Sequence, residues 1–156
     1  MKKRIALEII SSLLILLFVY AAVTKLLDYS TFKLQLGKSP FITAFAPTIA
    51  WALPVGEILV GLALAFKPTR LLGLYAALFL MTMFSAYIYT MLHYSYYIPC
   101  SCGGILSKMG WTTHLWFNIG FTLLSIIGII LETKKEVQPA RQEDKGLPPV
   151  VFSVIS

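Results

Sequence analysis

The sequence predicts an all-α integral membrane protein: a four-helix bundle with an outward-facing Cys-X-Cys loop between spans three and four. Three observations carry that reading. Of 156 residues, 58% are hydrophobic and 13% charged, whereas an ordinary soluble domain has about 25% charged residues. A water-soluble surface cannot be built from half that supply. The apolar residues also fall into runs that match the roughly 20 residues needed to cross a bilayer. Finally, no charged side chain occurs from Leu71 to Ser107, too long for one crossing, and Pro99-Cys100-Ser101-Cys102-Gly103-Gly104 marks a turn inside it.

The formal charge of +6 raises the question of nucleic acid. Lys and Arg, however, flank the apolar runs instead of clustering with aromatics, which is the pattern of membrane topology. Nucleic-acid binding is set aside and the membrane is the expected partner.

Span one covers about residues 5–27, after the basic start Lys2-Lys3-Arg4. A signal peptide competes, since Val19-Tyr20-Ala21 offers a small-residue cleavage site. The apolar run continues past Ala22 to Leu27, which favours an uncleaved anchor. Glu8 lies near one edge of this span. Lys25 lies near the other, where its stem is expected to snorkel to the headgroups. Asp28 to Pro47 is mixed and reads as an interfacial segment or short helix, with Phe41 and Phe45 at headgroup level. Span two covers about 48–66 and contains Pro54, Gly56 and Glu57. Lys67-Pro68-Thr69-Arg70 is a tight turn into span three, about 71–92. Span four covers about 114–131, with Thr112 or Thr113 as the expected N-cap. Residues 1–131 thus form one four-span membrane domain. Residues 132–156 are charged and polar up to Gly146, and are expected to be a disordered cytoplasmic tail.

Charge bias gives the orientation. With four spans and both termini cytoplasmic, nine of the 13 basic residues lie inside, and only Lys25, Lys33, Lys38 and Lys108 lie outside. The expected location is therefore a bacterial inner membrane, with the cysteine loop facing the periplasm.

Cys100 and Cys102 then sit in a disulfide-permissive compartment. A Cys-X-Cys disulfide closes a very small ring and adds little stability through chain entropy. It also needs a bent backbone to bring the two Cα atoms within about 4.4–6.8 Å, and Pro99, Ser101 and the glycines favour bends. An exposed, strained disulfide is readily reduced. A redox-active pair therefore ranks ahead of a structural pair, and both ahead of metal ligation. The metal reading would enlist His93 and His114 for Zn²⁺ or Cu(I), but neither spacing matches a zinc-finger signature and no metal site is assigned.

Glu57 falls near mid-span, where an ionised carboxylate costs about 2.5 kcal/mol or more. It is either hydrogen-bonded to a Thr, a Ser or backbone freed near Pro54, or it handles protons or a ligand. Tyr87, Tyr89, His93, Tyr94, Tyr96 and Tyr97 read first as an interfacial belt. Within that region Tyr94 and Tyr97, with Lys25, are candidate contacts for a quinone.

Three motifs in order resemble the DoxX/MauE group of small four-helix membrane proteins. They are Ala21-Ala22-Val23-Thr24-Lys25-Leu26-Leu27-Asp28 with Phe32, the Pro-x-x-Glu-x-x-x-Gly pattern of Pro54-Val55-Gly56-Glu57-Ile58-Leu59-Val60-Gly61, and Cys100-Ser101-Cys102-Gly103-Gly104. The last resembles the loop of the MauE-like branch, although Gly103 stands where an aromatic residue often follows the second cysteine. The resemblance spans about residues 5–131. It implies maturation work beside a thioredoxin-like partner, as for methylamine dehydrogenase, or, through the DoxD relatives, thiosulfate:quinone chemistry.

The resulting expectation is a thiol–disulfide redox or maturation protein. Cys100 and Cys102 are its exchanging pair, Glu57 handles protons, a periplasmic thioredoxin-like protein is its partner, and a quinone is a candidate electron carrier. The alternatives are a non-catalytic subunit or anchor of a larger membrane complex, and a small-molecule transporter using Glu57.

Overall fold

The computed structural model describes residues 2–39, 42–94 and 110–144. Cys100, Cys102, Tyr97 and Phe41 lie outside the described residues. Among the described residues there are five α-helices: α1 (Lys2–Leu27), α2 (Tyr29–Gly37), α3 (Ala46–Ala65), α4 (Arg70–Tyr94) and α5 (Trp111–Asp144). Four stretches, Lys3–Leu27, Thr43–Ala65, Lys67–Tyr94 and Trp111–Lys134, are long and apolar enough to cross a membrane. They coincide with the four predicted spans and extend most of them by a few residues, because helical turns continue into the polar flanks.

Within these four stretches the helices carry apolar residues on every side, as a helix facing lipid on one side and protein on the other must. In α1 the buried residues Leu7, Ile10, Leu14, Phe18 and Ala22 recur every three or four positions. Ile5, Ile9, Leu13, Leu16 and Val23 are exposed on the other side. In α3 the buried stripe is Ala46, Ala50, Pro54, Glu57, Val60 or Gly61, and Leu64. Pro47 stands in the first turn of α3, where its missing N–H costs no hydrogen bond.

The helices pack as a closed ring, α1 on α3, α3 on α4, α4 on α5 and α5 back on α1, with the short α2 laid on α3. The tight α3–α4 turn has the predicted sequence: Thr69 Oγ1 donates to the Ala63 carbonyl at 2.9 Å, satisfying a helix-end acceptor. The apolar core (Leu7, Leu14, Phe18, Leu64, Leu74, Met81) lies toward the α3–α4 turn end of the bundle. A second cluster joins α2 to the start of α3 through Phe32, Leu36, Ala46 and Ala50. The mixed segment after Asp28 is thus a helix, one of the two forms expected for it.

Two boundaries differ from expectation. Helix α5 begins at Trp111, so Thr112 and Thr113 lie inside its first turn, and the first backbone bond there runs from His114 N to Gly110 O at 2.9 Å. Helix α5 also continues past Glu132 to Asp144. The first part of the tail expected from residue 132 is thus helical, as far as Asp144, and residues 145–156 lie outside the described residues.

Candidate functional site

The buried stripe of α1 ends on Lys25, and that of α3 passes through Glu57. Packing α1 on α3 brings the two together: Lys25 Nζ lies 2.6 Å from Glu57 Oε1. Lys25 does not snorkel, contrary to expectation. Its residue exposure is 9%, that of Glu57 is 0%, and the ammonium also donates to the Ala21 carbonyl at 3.3 Å. The physical reason is compensation. A carboxylate and an ammonium buried as a contact pair are jointly neutral, so each removes the charge that would otherwise bar the other from the interior. The partner foreseen for Glu57, a Thr, Ser or freed backbone group, is thereby replaced by a lysine 32 residues away.

Aromatic rings close over the pair. Lys25 Nζ is 5.9 Å from the centre of the Phe32 ring and 5.8 Å from that of Phe84, within reach of the negative ring faces. Phe32 is brought there by α2, which gives that short helix a purpose at the site. From α5, His114 and Asn118 are buried at 6% and 4% exposure, one turn apart on the inward face.

These groups sit in the wall of a cavity of about 210 Å³. Its walls come from all five helices: Phe18 and Lys25 of α1, Phe32 of α2, Glu57 of α3, Phe84 and Tyr87 of α4, and Trp111 and His114 of α5. The walls are overwhelmingly apolar, with the polar groups converging at one place, the usual composition of a small-molecule site. Glu57 Oε2 is buried and has no hydrogen-bond partner among the described residues. Glu57 belongs to the cavity wall, and a carboxylate beside an ammonium can hold or move a proton.

Tyr87 steadies the rim. Its hydroxyl donates to Ser39 Oγ at 3.0 Å, tying α4 to the buried residue that follows α2. Tyr87→Phe is expected to lower stability by about 1 kcal/mol, seen as a lower unfolding midpoint in detergent; an unchanged midpoint would refute this role.

Of the residues predicted for the site, Lys25 and Glu57 come together. Tyr94 does not join them: it is 72% exposed at the last position of α4, about two turns beyond Tyr87. His93 is exposed and stacked on Tyr89, ring centres 4.3 Å apart, whereas His114 is buried in the cavity wall. No cluster of three or more His, Cys, Asp or Glu occurs among the described residues. Sequence reasoning missed Phe32, Phe84 and Tyr87 as cavity residues. Tyr87 is hidden within a run of tyrosines that reads as an interfacial belt, and the phenylalanines within general apolarity.

The family model for methylamine utilisation protein MauE matches residues 3–131. The chain belongs to the MauE family. The match covers all four candidate spans but for the last turn of the fourth, so the Lys25–Glu57 pair and its cavity lie within the MauE region, as does the cysteine loop. No curated protein and no solved structure matches this MauE-family chain.

Proposed function

We propose that this MauE-family membrane protein carries out thiol–disulfide exchange in the maturation of a partner, with Cys100 and Cys102 as the reacting pair. The partner is a thioredoxin-like protein on the periplasmic side of the inner membrane, both termini of the chain being cytoplasmic. The observation that carries the reading is the position of the cysteine pair in the chain. It lies in the connection from α4 to α5, the two helices that bring Tyr87, Trp111 and His114 to the cavity holding Lys25 and Glu57.

In the exchange a thiolate of one partner attacks a sulfur of the other's disulfide, forming a mixed disulfide and releasing one thiolate. The second cysteine of the attacking pair then resolves it. Two electrons pass, and one pair ends as disulfide while the other ends as dithiol. If Cys100 and Cys102 start as the dithiol, they lose two electrons and two protons; the disulfide can be reset by the reverse exchange. A quinone is the matching membrane carrier, since reduction to quinol takes up two electrons and two protons. Lys25 and Glu57, paired in the cavity wall, are the proposed proton-handling groups.

The test is thiol accessibility in intact cells or oriented vesicles. A membrane-impermeant maleimide should label Cys100 and Cys102 only after mild reductant, and the double variant Cys100→Ser/Cys102→Ser should shift the thioredoxin-like partner's oxidation state. An unchanged partner in the double variant would sink the exchange reading and leave a non-catalytic membrane subunit. Labelling without reductant would rule out a resting disulfide.

A further inference from the structure

We infer that the α3–α4 turn binds the headgroup phosphate of an anionic membrane phospholipid, held by the Arg70 guanidinium with Lys67 beside it. Arg70 is the starting point. It opens α4 on the same inward stripe as Gly73, Leu74 and Ala77, and its exposure is 9%. An arginine cannot shed its charge in a protein, so a buried one calls for a counter-charge. No side-chain hydrogen bond or ion pair joins Arg70 to another described residue, and its Nε is buried without a partner. Two acids approach this end of the bundle, and neither supplies the charge. Glu8 is paired with Arg4 at 3.7 Å. Glu132 is brought near because α4 and α5 run antiparallel. Gly128 faces Leu74 Cδ2, and Glu132 and Arg70 each lie four residues beyond that contact. The two nevertheless form no ion pair within 4 Å.

The surroundings choose the ligand. Of the Arg70 nitrogens only Nε is sealed; the terminal two lean past the start of the helix, the direction in which helical side chains point. Exposed Lys67 stands three residues earlier on the 3₁₀ turn Lys67–Thr69, a spacing that sets side chains over one another. Helix α4 has no acidic residue in its first turn, so nothing local offsets the positive end of its dipole. A phosphate answers all three, because the guanidinium fork can bond two of its oxygens at once. The source is lipid because Leu62, Phe66 and Leu72 are all exposed around the same turn. Acyl chains cover that apolar rim while the phosphate reaches the cations. A headgroup with no ammonium of its own suits two cations best.

The site stands apart from the cysteines and the cavity, so its test is independent of the exchange reading. Full-length protein in dodecyl maltoside is titrated with dihexanoyl phosphatidylglycerol, dihexanoyl phosphatidylcholine or inorganic phosphate, and the unfolding midpoint is followed. Phosphatidylglycerol should raise the midpoint saturably. Arg70→Met should weaken its apparent affinity about tenfold or more. Arg70→Lys, which keeps the charge and loses the fork, should fall between the two. Without lipid, Arg70→Met should be at least as stable as wild type, since it removes a buried charge that has no partner. Lys33→Gln, on α2 at the opposite end of the bundle, should respond as wild type. Unchanged affinity in Arg70→Met would overturn the site. So would a lower midpoint of Arg70→Met in lipid-free detergent, which would place the partner of Arg70 inside the protein. An equal response to phosphatidylcholine would overturn the anionic headgroup, and an equal rise with inorganic phosphate would overturn the lipid source in favour of a soluble phosphate.

Discussion

Lys25→Met should cost the protein about 3–5 kcal/mol, because it leaves the Glu57 carboxylate buried without its partner. Lys25 Nζ and Glu57 Oε1 are 2.6 Å apart, with the glutamate wholly buried, so neither solvent nor another described side chain can take over. The loss should appear as a large drop in the unfolding midpoint in detergent and as reduced folded protein in membranes. The double variant Lys25→Met/Glu57→Met is expected to recover most of the loss, since replacing a buried pair by apolar residues of similar size is often neutral or stabilising. If the single and double variants were equally unstable, lost packing rather than the stranded charge would be responsible. The comparison also separates stability from function: the double variant should fold, yet it lacks the ion pair of the cavity wall.

Gly73→Leu is expected to disrupt the contact between α3 and α4. A Cβ at Gly73 would meet Leu64 N at 2.8 Å and Ala63 C at 3.0 Å, both backbone atoms of the facing helix. Backbone cannot turn aside as a side chain does, so the helices must separate near their tight turn. Even Gly73→Ala should destabilise by about 1–3 kcal/mol. Gly128→Ala supplies a graded comparison, because the atom it meets at 2.8 Å is Leu74 Cδ2, the end of a side chain that can rotate. Gly120 has nothing within 4 Å of a built Cβ, and Gly120→Ala should be neutral or slightly stabilising through helix propensity. Unfolding midpoints should therefore fall most for position 73, less for 128 and not at all for 120. Equal midpoints at 73 and 120 would refute the close approach of α3 to α4.

The small residues that permit such approaches are visible in the sequence, and so is the need for them, since lipid-embedded helices associate through close packing and not through a hydrophobic drive. Which glycine meets which backbone is not visible. Gly61 has only Val19 Cγ2 at 3.4 Å, an ordinary contact, while Gly73 is filled to backbone distance. The two look alike in a string of Leu, Ala and Gly. The same holds for Tyr87 and Tyr94. Both stand in one aromatic run, but Tyr87 lines the cavity and bonds to Ser39, while Tyr94 is the exposed last residue of α4.

Four spans, the tight Lys67–Arg70 turn and the cysteine pair between the last two spans are determined by the sequence alone. Apolar length and helix-breaking residues act locally: about 20 apolar residues satisfy their own backbone in a bilayer whatever their neighbours do. Family membership over residues 3–131 accords with that local pattern. The tertiary structure decided that Lys25 and Glu57 meet. A helix that is apolar on every side does not announce which face turns inward, and a lysine near its end is equally suited to headgroups. Only when α1 packs on α3, and α2 folds Phe32 over the junction, do two charges 32 residues apart become one neutral pair in a cavity wall. That pairing energy belongs to neither helix by itself.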